Sequence, residues 1–111
     1  MRRKPVQHLS NTPEDPVVRA CARARKARRR GETRDEANAL RLACALREGD
    51  ATLWTLFGYA LLRMGRVEEA MEAWGQALWL RERAGEELRA RVMRQLLDAA
   101  KGLATGAAKA A

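Results

Sequence analysis

Residues 51–80 read ATLWTLFGYALLRMGRVEEAMEAWGQALWL and carry the clearest pattern of this chain. Small and bulky apolar side chains recur there at helical spacing on both sides of Gly65-Arg66, a dipeptide that suits a tight turn. The pattern predicts two stacked antiparallel helices, from about Ala51 to Met64 and from about Val67 to Arg83. A hairpin of this kind favours an interaction module over an enzyme.

The apolar residues of this stretch also match a repeat pattern. Counted from Ala51 as position 1 of a 34-residue unit, nine of them fall at positions 4, 7, 8, 11, 15, 20, 24, 27 and 30: Trp54, Phe57, Gly58, Leu61, Gly65, Ala70, Trp74, Ala77 and Leu80. This arrangement resembles the tetratricopeptide repeat (TPR), whose pattern asks for Trp, Leu, Gly, Tyr, Ala, Phe and Ala at seven of these positions. The resemblance is clear for residues 51–84 and weak for residues 17–50, where Ala stands in place of the aromatic residue.

The resemblance implies an all-α fold of antiparallel helix hairpins, stacked as a short right-handed superhelix with a C-terminal capping helix. In the resembled fold Gly58 lies where two helix backbones approach closely, which explains a glycine inside a helix. About three repeats are normally needed for an independent fold. A partner or a second copy of the chain is therefore expected to complete the core.

The flanking segments predict the order of the elements. Residues 1–11 are polar and basic, which is typical of a flexible arm. Thr12 can cap a first helix that has Pro13 at its first position and runs to about Arg30, followed by a second helix from about Arg34 to Arg47. The helical domain covers residues 12–101 and ends with an amphipathic capping helix over 86–101. Residues 102–111 are expected to form a flexible tail of Ala, Gly and Lys.

Positive charge is concentrated at the N-terminal end. The chain has 111 residues and a formal net charge of +8, and residues 1–30, with ten Lys or Arg against two acids, account for all of it. Such segregation points to an acidic partner, nucleic acid or an anionic surface.

Candidates for catalysis and metal binding are scarce. The only His and the only Ser, His8 and Ser10, both lie in the predicted arm, where no rigid shell supports them. One His and two separated cysteines, Cys21 and Cys44, cannot supply a tetrahedral metal site, and no Gly-rich phosphate loop occurs. We predict no enzyme, no metal or other cofactor, and no small-molecule substrate.

Membrane insertion is not expected. The most apolar window, residues 53–62, has about half the length that a spanning helix needs. Residues 5–10 read PVQHLS, a mixed sequence, and stand where a secretory signal would have a long apolar stretch. These features predict a cytoplasmic protein.

The resemblance also implies a binding groove. In the family, positions 2, 5, 9, 12 and 13 of each first helix commonly contact a peptide. On this chain those positions hold Val18, Cys21, Arg25, Arg28 and Arg29 in the weak unit, and Thr52, Thr55, Tyr59, Leu62 and Arg63 in the clear one. Guanidinium groups bind carboxylates with two hydrogen bonds, and Tyr59 and Leu62 offer apolar contact. We expect an adaptor or scaffold that binds an acidic or mixed acidic-apolar protein segment through Arg25, Arg28, Arg29, Tyr59, Leu62 and Arg63.

Nucleic acid is the alternative partner. The arginines of the first helix have no acid among them, so neighbours one turn apart repel each other, and phosphates could neutralise them. The contacts would come from Arg2, Arg3 and Lys4 in the arm and from Arg19, Arg23, Lys26 and Arg30 in the helix.

The tryptophans have different expected roles. Trp54 and Trp74 match positions at which the family buries large side chains, so both are expected in the core. Trp79 falls at position 29, which is usually exposed. Either the capping helix covers Trp79, or Trp79 marks a second interface for a partner or a homodimer.

Overall fold

A computed structural model describes residues 15–110, and the side chains of residues 15–106. This part of the chain forms five α-helices, each packed against the next in sequence, and contains no strand. They are α1 (Pro16–Arg29), α2 (Thr33–Leu46), α3 (Ala51–Arg63), α4 (Val67–Arg83) and α5 (Glu87–Ala110). The predicted all-α fold of helix hairpins is confirmed. The arm, with Arg2, Arg3 and Lys4, lies outside the described residues.

The first helix begins later than predicted. Asp15 has an extended backbone (φ −63°, ψ 123°), and its Oδ1 accepts a hydrogen bond from the Val17 amide at 2.8 Å. Pro16 follows at the first helical position, where no amide hydrogen is needed. The start predicted at Pro13 is therefore wrong, because the sequence offers two Pro-led starts and the second one is used. Thr12 and Pro13 themselves lie outside the described residues.

Three of the connections are the same tight turn. Each contains a glycine with positive φ: 72° at Gly31, 79° at Gly65 and 73° at Gly85. The residue after the glycine donates its amide hydrogen to the carbonyl five residues earlier, with N···O distances of 2.9, 3.0 and 2.9 Å at Glu32, Arg66 and Glu86. Glycine adopts this left-handed conformation without steric cost. The same turn that closes the first two hairpins therefore folds α5 back onto α4.

The core combines many alanines with a few large side chains. One cluster joins α1 to α4 and contains Phe57 and Leu61, while the second joins α3, α4 and α5 around Trp74 and Met93. Alanine lets helices approach closely and costs no side-chain entropy. Trp54 packs against both clusters but is only partly buried, and its Nε1 donates to the Glu48 carbonyl at 2.9 Å. The prediction that Trp54 belongs to the buried core is thus correct only in part.

Gly58 is the point at which α3 meets α4. The neighbour is the indole of Trp74, which is 1% exposed and donates from Nε1 to the Thr55 carbonyl at 3.1 Å. A Cβ on Gly58 would lie 2.9 Å from Trp74 Cε2 and closer still to Nε1 and Cδ1. The predicted close approach of two helix backbones at Gly58 is thus correct only in part, because the contact at Gly58 is made by a side chain of α4.

The last helix is longer than predicted. α5 continues to Ala110 and so includes almost all of the segment that was expected to form a tail after Lys101. Alanine is the best helix former, and the alanines between residues 104 and 110 offset the cost of Gly102 and Gly106. The prediction that the helix ends near Lys101 is wrong.

An ion pair fixes the turn between α4 and α5. Arg81 Nη1 lies 2.8 Å from Glu86 Oε1, and Arg81 Nη2 donates to Thr52 Oγ1 of α3 at 3.1 Å. The hydrogen bond from Arg81 lowers the pKa of the Glu86 carboxyl below its ordinary value. Arg81 therefore connects the start of α5 to the start of α3.

Gly58→Ala tests the contact between α3 and α4. Although alanine favours helices, we expect this change to lower the free energy of unfolding by about 1–3 kcal/mol, because the new Cβ overlaps the indole of Trp74. Gly75→Ala in α4 is the matched control, since a Cβ there meets nothing within 4 Å. It should raise stability by about 0.5–1 kcal/mol. Urea unfolding followed by circular dichroism measures both, and equal effects would contradict the proposed packing.

Glu86→Gln tests the ion pair through its pH dependence. A carboxyl whose pKa is lowered in the folded state adds stability above its unfolded pKa and loses it as the pH falls through the folded value. The variant should therefore unfold at a lower temperature than the wild type at pH 7, and the two should converge in acid. Glu72→Gln removes the same charge from an exposed residue that has no ion pair within the described chain. A constant difference for Glu86→Gln at every pH would show that the pair is not the cause.

Candidate partner-binding surface

Helical periodicity divides the basic residues of α1 into two stripes. Val17, Ala20, Ala24 and Ala27 form its buried face. At 100° per residue, Arg25, Arg28 and Arg29 lie to one side of this face, next to the half-buried Val18 and Cys21; we call these three arginines the inner stripe. Arg19, Arg23, Lys26 and Arg30 lie on the other side and form the outer stripe, roughly 140° away. The predicted protein-binding and nucleic-acid-binding residues of α1 therefore occupy different sides of one helix.

The two stripes differ in their bonding. Arg23 of the outer stripe forms an ion pair with Asp35 of α2, with Nη2 and Oδ1 2.5 Å apart. Among the described residues, no ion pair involves Arg25, Arg28 or Arg29, and all three are exposed. The inner stripe is thus a set of guanidinium groups that an anion from outside could reach.

The exposed face of α3 is partly apolar. Thr52, Leu56, Tyr59 and Arg63 recur at intervals of three or four residues, so they form one stripe, the α3 stripe. Leu56 is 38% and Tyr59 37% exposed. The Tyr59 ring meets the Trp74 indole edge to face, with centroids 5.1 Å apart, and this contact holds the ring in place. Leu56 was missed by the family pattern, yet plain helical spacing from Thr52 would have found it.

Two predicted groove residues are engaged by the core. Leu62 is partly buried and packs against both clusters. Thr55 donates to the Ala51 carbonyl at 2.8 Å and contacts Met93 Sδ of α5 at 3.6 Å. α5 therefore borders the α3 stripe on one side, and Leu62 offers a partner less surface than predicted.

Arg63 already has an internal partner. Its Nη2 lies 2.6 Å from Glu36 Oε2 of α2, and Glu36 is 4% exposed. A buried carboxylate needs a charged or hydrogen-bonding partner, so this pair contributes to packing between α2 and α3. The pairing could not be seen in the sequence, because 27 residues separate the two side chains.

A cleft of about 360 Å³ lies between α2, α3 and α4. Its lining includes Trp54, Phe57 and Leu61 of α3, together with Glu69 and Glu72 of α4. The guanidinium of Arg41 sits over the Phe57 ring, 5.0 Å from its centroid. Arg41 thus lines the cleft and makes a cation–π contact with Phe57 at the same time.

Trp79 lies on the outer face of α4. It is 50% exposed, and the guanidinium of Arg83 lies 4.7 Å from its ring centroid. The expectation that the capping helix covers Trp79 is therefore wrong. Around the axis of α4, residues 75, 78 and 82 lie between Trp79 and the buried face, so α5 packs on another part of α4. A role of Trp79 in a second interface stays a prediction.

The two cysteines are free thiols. Burial raises the pKa of the Cys44 thiol to about 12, so Cys44 stays protonated and packs as a small apolar side chain.

No cluster of three or more His, Cys, Asp or Glu that could hold a metal ion occurs within residues 15–110. None of the five helices described above is long and apolar enough to cross a membrane.

Arg63→Met tests the internal ion pair. The change leaves the Glu36 carboxylate buried without its partner, so we expect a loss of about 1–3 kcal/mol in the free energy of unfolding. The double variant Glu36→Gln with Arg63→Met should be more stable than the single one, because no charge is buried in it. Arg66→Met removes an exposed pair with Glu69 and should cost only about 0–1 kcal/mol. Equal losses for Arg63→Met and Arg66→Met would contradict a structural role of Arg63.

Comparisons with protein-family models, curated proteins and solved structures give no match for this chain. The resemblance to the tetratricopeptide repeat therefore stays a prediction from the residues of α3 and α4.

Proposed function

We propose that this protein is a small adaptor that binds an acidic or mixed acidic-apolar protein segment on the inner stripe of α1 and the α3 stripe. The observation that carries the proposal is the state of Arg25, Arg28 and Arg29. All three are exposed on one side of a helix, and no acid within the described residues pairs with them.

Electrostatics favour an anionic partner. Arg25 lies three residues before Arg28 and four before Arg29, so all three charges meet along one side of the helix. Like charges at these spacings destabilise a helix by about 0.2–0.5 kcal/mol per pair. Carboxylates of a bound segment would remove this repulsion and could accept two hydrogen bonds from each guanidinium.

The apolar part of the segment would bind α3. Leu56 and Tyr59 offer exposed apolar area, and Tyr59 is held by Trp74, so little side-chain entropy is lost when a partner covers it. The α3 stripe from Thr52 to Arg63 is about 16 Å long. An extended segment of about five residues covers that length.

The two free cysteines support a cytoplasmic location. Disulfides form in oxidising compartments, whereas a reducing compartment keeps thiols free. We infer the cytoplasm from this chemistry.

Nucleic acid is the second candidate. The outer stripe adds Arg19, Lys26 and Arg30 to the arginines of the inner stripe, so cations lie on two sides of α1. A phosphate backbone could contact both sides, and its affinity would fall steeply with salt concentration. A peptide bound on the inner stripe would involve one side only.

Two charge-reversal variants test the proposal. Arg25→Glu with Arg28→Glu changes the inner stripe, and Lys26→Glu with Arg30→Glu changes the outer stripe by the same total charge. The probe is a fluorescein-labelled peptide in which Asp and Glu alternate with Leu and Phe, measured by anisotropy at 150 mM salt, where the Debye length is about 8 Å. We expect the inner-stripe variant to bind about tenfold or more weakly and the outer-stripe variant to bind almost like the wild type.

Duplex DNA and single-stranded RNA are the second pair of probes. If both variants lose affinity for a nucleic acid by similar factors, and the peptide does not bind, the nucleic-acid alternative replaces the adaptor. If the inner-stripe variant binds the peptide like the wild type, the proposed surface is wrong. Circular dichroism spectra and melting temperatures of all variants show whether the helices are intact.

A further inference from the structure

α5 carries a second apolar stripe that faces away from the core. Its buried side contains Ala90, Met93 and Ala100. Roughly 120° around the helix lie Leu88, Val92, Ala99 and Leu103, which we call the α5 stripe. Leu88 is 72%, Val92 52% and Leu103 56% exposed, the largest run of exposed apolar side chains on any helix described. A row of this kind on a soluble helix is typical of an interaction surface.

The spacing of the α5 stripe reads the same in both directions. Leu88, Val92, Ala99 and Leu103 are separated by four, seven and four residues. If a second α5 lies antiparallel, with its centre between Gln95 and Leu96, Leu88 meets Leu103 of the second copy, and Val92 meets Ala99 of the second copy. We propose that the protein forms a two-fold symmetric homodimer through antiparallel contact of the two α5 stripes.

Charged residues beside the stripe fit the same arrangement. Arg91 and Asp98 are exposed, lie on one flank of the stripe, and have no ion pair within the described chain. Within one helix they are two turns apart and cannot meet. In the antiparallel pair the same flanks face each other, and the axial offset between Arg91 and Asp98 of the second copy is two residues, or about 3 Å. Two symmetric ion pairs can therefore form.

The charges disfavour the other arrangements. A parallel two-fold pair would put the flanks that carry Arg91 and Asp98 on opposite sides of the contact, so these residues would have no partner across it. A head-to-tail contact would join α5 to α1, and both helices carry more basic than acidic residues. A two-fold interface uses the same surface on both subunits. The antiparallel dimer therefore leaves no second α5 stripe exposed to bind a third copy of the chain.

The size of the contact sets the expected strength. One helix pair of this length offers an interface at or below about 1,200 Å² in total, which is typical of weak and reversible association. We therefore expect a dissociation constant on the order of 10 μM. The dimer itself does not depend on the proposed function; if that function holds, the dimer presents two peptide surfaces and gains affinity for a partner with two acidic segments.

Sedimentation equilibrium over a concentration series of the full chain is the first experiment. The wild type should shift from the monomer mass of 12.4 kDa to twice that value as concentration rises. Val92→Glu should weaken this association on the order of 100-fold, because it puts two carboxylates into the apolar contact. Leu46→Glu is the matched control on α2, where Leu46 is 47% exposed, and it should dimerise like the wild type. A wild type that stays monomeric up to about 1 mM would overturn the proposal.

Charge exchange and cross-linking test the orientation. Asp98→Arg alone should weaken the dimer, and adding Arg91→Asp should restore it. Such a rescue would not occur if either residue only stabilised its own subunit.

In a Cys21→Ala background, Leu88→Cys mixed with Leu103→Cys should form a disulfide-linked dimer, while Leu88→Cys alone should not. Linkage of Leu88→Cys with itself would overturn the antiparallel arrangement. A dimer lost through Trp79→Ala but kept in Val92→Glu would place the interface on α4 and also overturn the proposal.

Discussion

The contact between Gly58 and the indole of Trp74 determines how α3, α4 and α5 are placed. The indole fits onto α3 only because Gly58 has no side chain, and its Nε1 is fixed by the Thr55 carbonyl at 3.1 Å. Trp74 also packs in one cluster with Ala77 and with Met93 of α5. A hydrogen bond and a steric fit at the same ring therefore set the rotation of α3 about its own axis, since any other rotation would lose both.

That rotation decides which side chains of α3 reach the solvent. With Gly58 turned towards α4, and with Phe57 and Leu61 packed into the cluster shared by α1 to α4, the remaining side exposes Leu56 and Tyr59. The same geometry brings Arg63 to the buried Glu36. The α3 stripe is thus a consequence of packing around one glycine. On α1 the buried face consists of Val17 and three alanines, so the long side chains of that helix lie outside the core and most of them are basic.

Much of this arrangement can be predicted from the sequence, because it depends on local signals. Asp50 caps α3, because its Oδ1 accepts hydrogen bonds from the amides of Thr52 and Leu53. The bounds of α3 and α4 follow from this capping residue, the Gly65 turn and the apolar periodicity between them. The start of α1 and the end of α5 were predicted wrongly for local reasons as well. Two prolines offer a start, and an Ala-rich segment with two glycines lies near the balance between helix and coil.

Other features depend on residues that are distant in the sequence, and helical periodicity cannot reveal them. Trp54 is only partly buried, and the carbonyl of Glu48, in the link between α2 and α3, accepts its indole hydrogen. Arg63 loses part of its availability to a partner through Glu36, which belongs to another hairpin. The pattern shows which side of a helix is buried, whereas the bonding partner of a polar group depends on how the hairpins pack.

The two terminal helices solve the same physical problem in different ways. In an array of stacked helices, the first and last members have no neighbour on their outer side, and a polar outer side keeps them soluble. α1 meets this condition with exposed arginines and a lysine. α5 does not, because Leu88, Val92 and Leu103 lie on its outer side. Apolar area in water costs about 25 cal/mol per Å², so α5, and not α1, is the end of the array that gains free energy from being covered.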